Sequence, residues 1–105
     1  MIEIQEKRLS YRSDKLERLR DPQEAVGYLK ACLDETDMPE LFLAGLKDVA
    51  EAEGIGMSQL SRDTNLNREG LYKILSKRGN PELGSLTAIL DALGMKLSVE
   101  LKNTS

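Results

Sequence analysis

The stretch Met57-Ser58-Gln59-Leu60-Ser61-Arg62-Asp63-Thr64-Asn65-Leu66-Asn67-Arg68-Glu69-Gly70-Leu71-Tyr72-Lys73-Ile74-Leu75-Ser76 decides the fold. It divides into two short helical segments, roughly Ser58 to Thr64 and Asn67 to Ser76, with only Asn65 and Leu66 clearly between them. Two short helices that cross steeply need a small residue where they touch, and Ser61 is placed for that. The turn four positions later needs a residue that tolerates φ > 0, and Asn65 is one. Leu66, Leu71, Ile74 and Leu75 have the spacing to anchor the second helix from beneath. With those positions buried, Arg68, Glu69, Tyr72 and Lys73 face outward, and Arg68 and Tyr72 lie one turn apart on one face.

A second helix that projects polar residues from its N-terminal half can enter the major groove of DNA. Arg68, Tyr72 and Lys73 are then the expected base or near-base contacts, with Asn67 and Glu69 beside them. Ser58, Gln59, Lys77 and Arg78 flank the helix where phosphates would be met. The alternative is a plain helical bundle whose basic face is merely solvated. Charge distribution favours DNA. Fifteen basic and eighteen acidic residues give a net charge of −3. Residues 1–54 hold 8 basic and 13 acidic groups, residues 55–80 hold 5 and 2, and residues 81–105 hold 2 and 3. A basic island in an acidic chain points to one local anionic partner.

The remaining sequence builds a helical frame around that pair. A chain of 105 residues fits one domain with one core. Residues 1–20 are dense in mixed charge. Ile2 and Ile4 alternate with Glu3 and Gln5 like a short strand, and Arg12 to Arg20 reads as linker or frayed helix. Asp21-Pro22-Gln23-Glu24 is a helix start, with Asp21 as acceptor for free amides, Pro22 in the first turn and Glu24 at capping-box spacing. Ala25, Val26, Leu29, Cys32 and Leu33 then recur at helical spacing, with Cys32 read as a small core residue. Asp37-Met38-Pro39-Glu40 repeats the start signal, Phe42, Leu46, Val49 and Ala50 form the next buried stripe, and Gly54 stops it. After the turn Gly79-Asn80-Pro81, a fifth helix runs from near Gly84 to Leu93 with Leu86, Ile89, Leu90 and Leu93 inward, and Gly94 ends it. The period then changes to two: Leu97, Val99 and Leu101 alternate with Lys96, Ser98, Glu100 and Lys102 as a half-buried strand. Such a strand must pair with residues 1–9 or with a second chain.

Several function classes drop out. Without histidine and with one cysteine, the chain lacks the means for Cys/His zinc sites and for Ser–His or Cys–His catalysis. Carboxylate pairs such as Asp34/Glu35 and Glu51/Glu53 have no companion base or nucleophile, so no enzyme, no catalytic residue, no metal and no cofactor is expected. A single cysteine fits a reducing compartment, no apolar run approaches the roughly 18 residues of a membrane span, and the charged start Met1-Ile2-Glu3-Ile4-Gln5-Glu6 is not a signal peptide. The expected location is the cytoplasm.

The segments Leu66 to Ser76, Gly79-Asn80-Pro81-Glu82-Leu83 and Leu90 to Leu97, together with Tyr28-Leu29 and Leu41 to Ala50 upstream, resemble the HigA-like addiction-module antidote proteins with a lambda-repressor-like (Xre-type) helix-turn-helix. The resemblance spans roughly residues 21–102, leaving 1–20 as an N-terminal segment and 103–105 as a tail. It implies a mainly α fold: a five-helix DNA-binding domain, here with a short C-terminal β-strand. It also implies a homodimer on a palindromic double-stranded DNA operator and a small toxin partner, usually an mRNA endonuclease of the RelE/ParE type. Ser61, Asn65 and Gly70 depart from the family's more frequent alanine, glycine and serine. The first two exchanges are sterically allowed. Glycine within a helix costs about 1 kcal/mol relative to alanine; Gly70 is either tolerated drift or a point of close approach to DNA.

The implied function is a repressor of its own operon that also neutralises a toxin. A prophage repressor without a toxin and an acidic protein-interaction module are the alternatives. Only Asn103-Thr104-Ser105 follows the expected strand, too little to wrap a partner. Residues 34–53 hold seven acids against one base, and an RNA-cleaving toxin would be basic, so Asp48, Glu51 and Glu53 are the expected docking charges. An ordinary solvated face is the competing explanation.

Overall fold

The computed structural model describes residues 12–34, 38, 40–76 and 80–102. The described residues form six helices and no strand: α1 (12–19), α2 (Pro22–Asp34), α3 (Glu40–Ala52), α4 (Met57–Thr64), α5 (Arg68–Ile74) and α6 (Leu83–Ala92). Helix α2 packs on α3, and α4 packs on both α5 and α6.

Local chemistry sets the boundaries. Asp21 opens α2 as its sequence signal predicts: the Gln23 amide donates to Asp21 Oδ1 at 2.9 Å, and the Ala25 amide to the Asp21 carbonyl at 2.9 Å. Helix α3 ends in a Schellman turn. Gly54 takes φ +75°, its amide donates to the Glu51 carbonyl at 3.0 Å, and the Ile55 amide reaches the Ala50 carbonyl at 2.9 Å. Helix α6 ends the same way, with Gly94 at φ +77°, the Gly94 amide on the Asp91 carbonyl (3.0 Å) and the Met95 amide on the Leu90 carbonyl (2.8 Å). The start signal expected at residues 37–39 lies mostly outside the described residues, as do Ile2 and Ile4.

The core runs through every helix. Ala25 and Leu29 of α2, Phe42, Leu43, Leu46, Val49 and Ala50 of α3, Leu60, Leu71 and Leu75 around α4 and α5, and Ile89, Leu90 and Leu93 around α6 are all buried. Gly45 brings α2 and α3 close, because a Cβ there would stand 3.1 Å from Leu29 Cδ2 and 3.2 Å from Tyr28 Cε2.

Three expectations change. Of the two readings of Arg12 to Arg20, linker or frayed helix, the helical one holds over residues 12–19, and this α1 joins the core through buried Leu19 and partly buried Leu16. The helix count therefore rises from the expected five to six. Within α2, Val26 and Leu33 are exposed, because the buried stripe is Ala25, Leu29 and Cys32 and the two larger residues occupy the neighbouring one. The expected strand does not form among the described residues. A strand exists only through its ladder, and no described segment pairs with residues 95–102, which lack regular structure. Val99 is 98% and Leu101 99% exposed.

Helix α1 is held to α3 by charge. Arg12 reaches Glu51 at 2.5 Å and Asp48 at 3.6 Å, and Lys15 reaches Asp48 at 3.2 Å while lying 4.8 Å from the centre of the Tyr28 ring. The Tyr28 hydroxyl donates to the same Asp48 oxygen at 3.3 Å. Burial by itself would lower the Lys15 pKa, but the hydrogen bonds to Tyr28 and Asp48 and the attraction of the Asp48 charge outweigh it and leave the pKa raised. A raised lysine pKa gives stability that is complete below the unfolded value near 10.5 and is lost as pH climbs through the folded value. Asp48→Asn is expected to cost about 1 kcal/mol by removing the carboxylate that Lys15 and Tyr28 share. Thermal melting should register that loss at pH 7 and a smaller difference from the parent once pH has climbed through the raised Lys15 pKa.

Candidate nucleic-acid interface

The turn between α4 and α5 is built from its own side chains. Asn65 closes α4 in the left-handed region (φ 61°, ψ 24°), the conformation its amide side chain tolerates. Ser61, partly buried where the helices meet, donates to the Leu66 carbonyl. Thr64 is buried; its hydroxyl donates to the Leu60 carbonyl at 2.7 Å and accepts the Leu66 amide at 3.3 Å. Asn67 is the N-cap of α5, and its Oδ1 accepts the Gly70 amide at 2.6 Å.

That cap gives Gly70 a local reason. A Cβ at this position would stand 3.0 Å from Asn67 Oδ1, so a larger residue would press on the cap. Asn67→Ala is expected to lower stability by about 1 kcal/mol, read as a fall in the melting midpoint with the helical content of the folded state unchanged.

Helix α5 is anchored by Leu71, fully buried, and by Leu75, with Leu66 and Ile74 partly buried. The opposite face carries Arg68, Glu69, Tyr72 and Lys73, all exposed, with Tyr72 at 49%. The face-sorting expected from spacing is therefore present. Ser58 and Gln59 stand exposed in the first turn of α4, and Asn67 is exposed at the start of α5. Lys77 and Arg78 lie outside the described residues. Among the described residues no ion pair engages Arg62, Arg68 or Lys73. Arg62 is a cation that spacing alone did not single out; it stands exposed in the last turn of α4. Three cations without an ion pair among the described residues and a half-exposed tyrosine thus stand around the α4–α5 pair.

The acids expected to dock a toxin are placed differently. Asp48 and Glu51 project from α3 onto Arg12 and Lys15, so their charge is already met within the chain. Glu53 is exposed and makes no ion pair among the described residues. Cys32 is partly buried and packs against the core; burial pushes its thiol pKa up, in keeping with a packing residue. Among the described residues no group of three or more potential ligands could hold a metal ion, and no helix is long and apolar enough to cross a membrane.

Comparison with known proteins supplies a family. The profile of the family described as "probable addiction module antidote protein" matches residues 10–101. An uncharacterized protein from Haemophilus influenzae is 39% identical over 87 residues, which cover 83% of this chain and 87% of the relative. No solved structure matches.

Proposed function

Because this chain belongs to the family of probable addiction module antidote proteins, we propose that it is a sequence-specific DNA-binding antitoxin with a HigA-like, lambda-repressor-like helix-turn-helix. It represses its own operon and neutralises a RelE/ParE-type toxin. Membership of the family supports the antidote role. The observation that carries the DNA-binding half is the sorting of α5: Leu71 and Leu75 inward, Arg68, Tyr72 and Lys73 outward and, among the described residues, unpaired with acid, inside the basic segment of an acidic chain.

In this reading α5 lies in the major groove. Arg68 reads a base edge, Tyr72 stacks or packs beside it, and Lys73 lies near the bases, with Asn67 and Glu69 at the helix start. Ser58, Gln59, Lys77 and Arg78 meet phosphates. One module of this size makes few phosphate contacts, so two copies bind the half-sites of a palindrome. The test is a gel shift of the full-length protein on the DNA upstream of its own gene, against an equal length of unrelated DNA at the same salt. Specific retardation supports the reading; equal affinity for both fragments refutes it.

For the toxin, the acid-rich α3 region attracts a basic protein by its field. Asp48 and Glu51 hold α1, so reversing them would disturb the fold as well as the docking surface. Glu53→Lys is the cleaner probe: association with the toxin encoded beside it should slow, most of all at low salt, while the promoter shift persists. An unchanged association rate removes the acidic face from the mechanism.

A further inference from the structure

Lys15 sits in a site built to hold a cation. Its ammonium lies 3.2 Å from Asp48 Oδ2 and 4.8 Å from the centre of the Tyr28 ring, and the Tyr28 hydroxyl fixes the same Asp48 oxygen by donating to it at 3.3 Å. One turn away on α1, Arg12 reaches both Glu51 and Asp48. A carboxylate beside an aromatic face suits an ammonium or a guanidinium group. Helices α2 and α3 supply this site, and the two cations that fill it come from a third element, α1.

The start of α1 is loosely held. Arg12 and Glu51 are about half exposed, at 50% and 49%, and ion pairs so open to water contribute little. Of residues 12–19 only Leu16 and Leu19 are apolar. They anchor the far end of the helix, beside the turn where the Arg20 amide donates to the Glu17 carbonyl at 3.2 Å and the Asp21 amide to the Arg18 carbonyl at 3.1 Å. Arg12 and Lys15 can therefore lift while Leu19 stays buried. The stripe of α3 that they touch continues past them: Glu40 and Ala44 precede Asp48 at four-residue spacing and are partly exposed, and no ion pair engages Glu40 among the described residues. Residues 34–53 hold seven acids against Lys47, more than Arg12 and Lys15 offset, so the region still draws a basic protein. An arginine also suits the site better than Lys15 does, because its planar group can stack on the Tyr28 ring while donating two hydrogen bonds to a carboxylate. We propose that α1 is a placeholder: a basic partner protein takes the Tyr28–Asp48–Glu51 site with two arginines one helical turn apart, displacing Lys15 and Arg12 and lifting the start of α1. The placeholder rests on the antidote reading above for its partner and gives the acidic face a defined place to dock.

The probe is a fluorescein-labelled helical peptide with two arginines three residues apart, titrated against the full chain at low salt and followed by anisotropy. Arg12→Gln with Lys15→Gln removes the internal competitor and should bind the peptide about three- to tenfold more tightly than the parent. Adding Glu51→Gln should take most of that gain back. Arg18→Gln with Arg20→Gln makes the same change of net charge at exposed cations that, among the described residues, pair with neither Asp48 nor Glu51, and it should gain less than about twofold. On the parent, peptide binding should speed amide exchange at residues 15–19, whereas docking onto α1 itself would slow it. A double variant that binds no better than the Arg18 and Arg20 control, or α1 amides that slow on binding, overturns the placeholder. The protein encoded beside this gene is the second titrant and keeps the two proposals apart. Peptide gain without any association of that protein overturns the toxin partner alone, and association indifferent to Arg12→Gln with Lys15→Gln overturns the placeholder alone.

Discussion

Arg68→Ala is expected to weaken binding to the promoter fragment by about 10- to 100-fold and to relax discrimination at one base pair of each half-site. A bidentate arginine–guanine contact is worth about 1–3 kcal/mol of discrimination. The side chain is exposed and makes no ion pair among the described residues, so its loss should leave the melting midpoint close to that of the parent, as surface substitutions usually do. Tyr72→Ala should behave alike, one turn along the same face. Lys77→Ala gives the contrast. Its expected partner is a phosphate, which carries no sequence information, so this change should weaken all sequences equally and reduce the slope of log affinity against log salt by about one. Titrations at several salt concentrations separate the two behaviours. If Arg68→Ala and Tyr72→Ala leave promoter affinity and preference unchanged, α5 is not the reading helix.

What could be read from the chain alone was local. Asn65 announces its left-handed turn because few other residues tolerate it, and Gly54 and Gly94 announce helix ends for the same reason. Asp21 announces a start because its carboxylate can accept an amide two residues on. The outward face of α5 was legible as the complement of Leu71 and Leu75. What escaped depends on distant parts of the chain. Helix α1 has weak apolar periodicity, and it is pinned by Arg12 and Lys15 to carboxylates 39 and 33 residues away, pairs that no local pattern encodes. Those pairs also explain how Asp48 and Glu51, within an acid-rich stretch of sequence, come to hold internal ion pairs. Periodicity showed two adjacent apolar stripes on α2 and could not say that α3 covers only the one containing Ala25 and Leu29. Alternation at residues 97–101 gave a strand's side chains, but a strand also needs a partner. The Asn67–Gly70 cap lay within one turn, and its signal was an asparagine three residues before a glycine amide.

Leu71→Ala is expected to have the largest effect on the molecule itself, a loss of about 2–5 kcal/mol. Leu71 is fully buried, and α5 spans only seven residues, too few to be helical without tertiary support. Removing three methylene-equivalent carbons from its anchor leaves a cavity between α5 and the core that the backbone can close only in part. A domain of this size has about 5–15 kcal/mol of stability in all, and about 1 kcal/mol shifts the melting midpoint by roughly 4–8 °C, so the fall should exceed about 10 °C. Leu71→Met, which keeps the volume, should cost less than about 1.5 kcal/mol. The adjacent Tyr72→Ala should melt close to the parent while losing promoter affinity. The two neighbours on α5 thereby divide stability from recognition: Leu71→Ala should regain promoter binding when cooled well below its own midpoint, and Tyr72→Ala should not regain it at any temperature. Should Leu71→Ala melt within a degree or two of the parent, α5 is not held by this face, and the outward placement of Arg68 and Tyr72 falls with it.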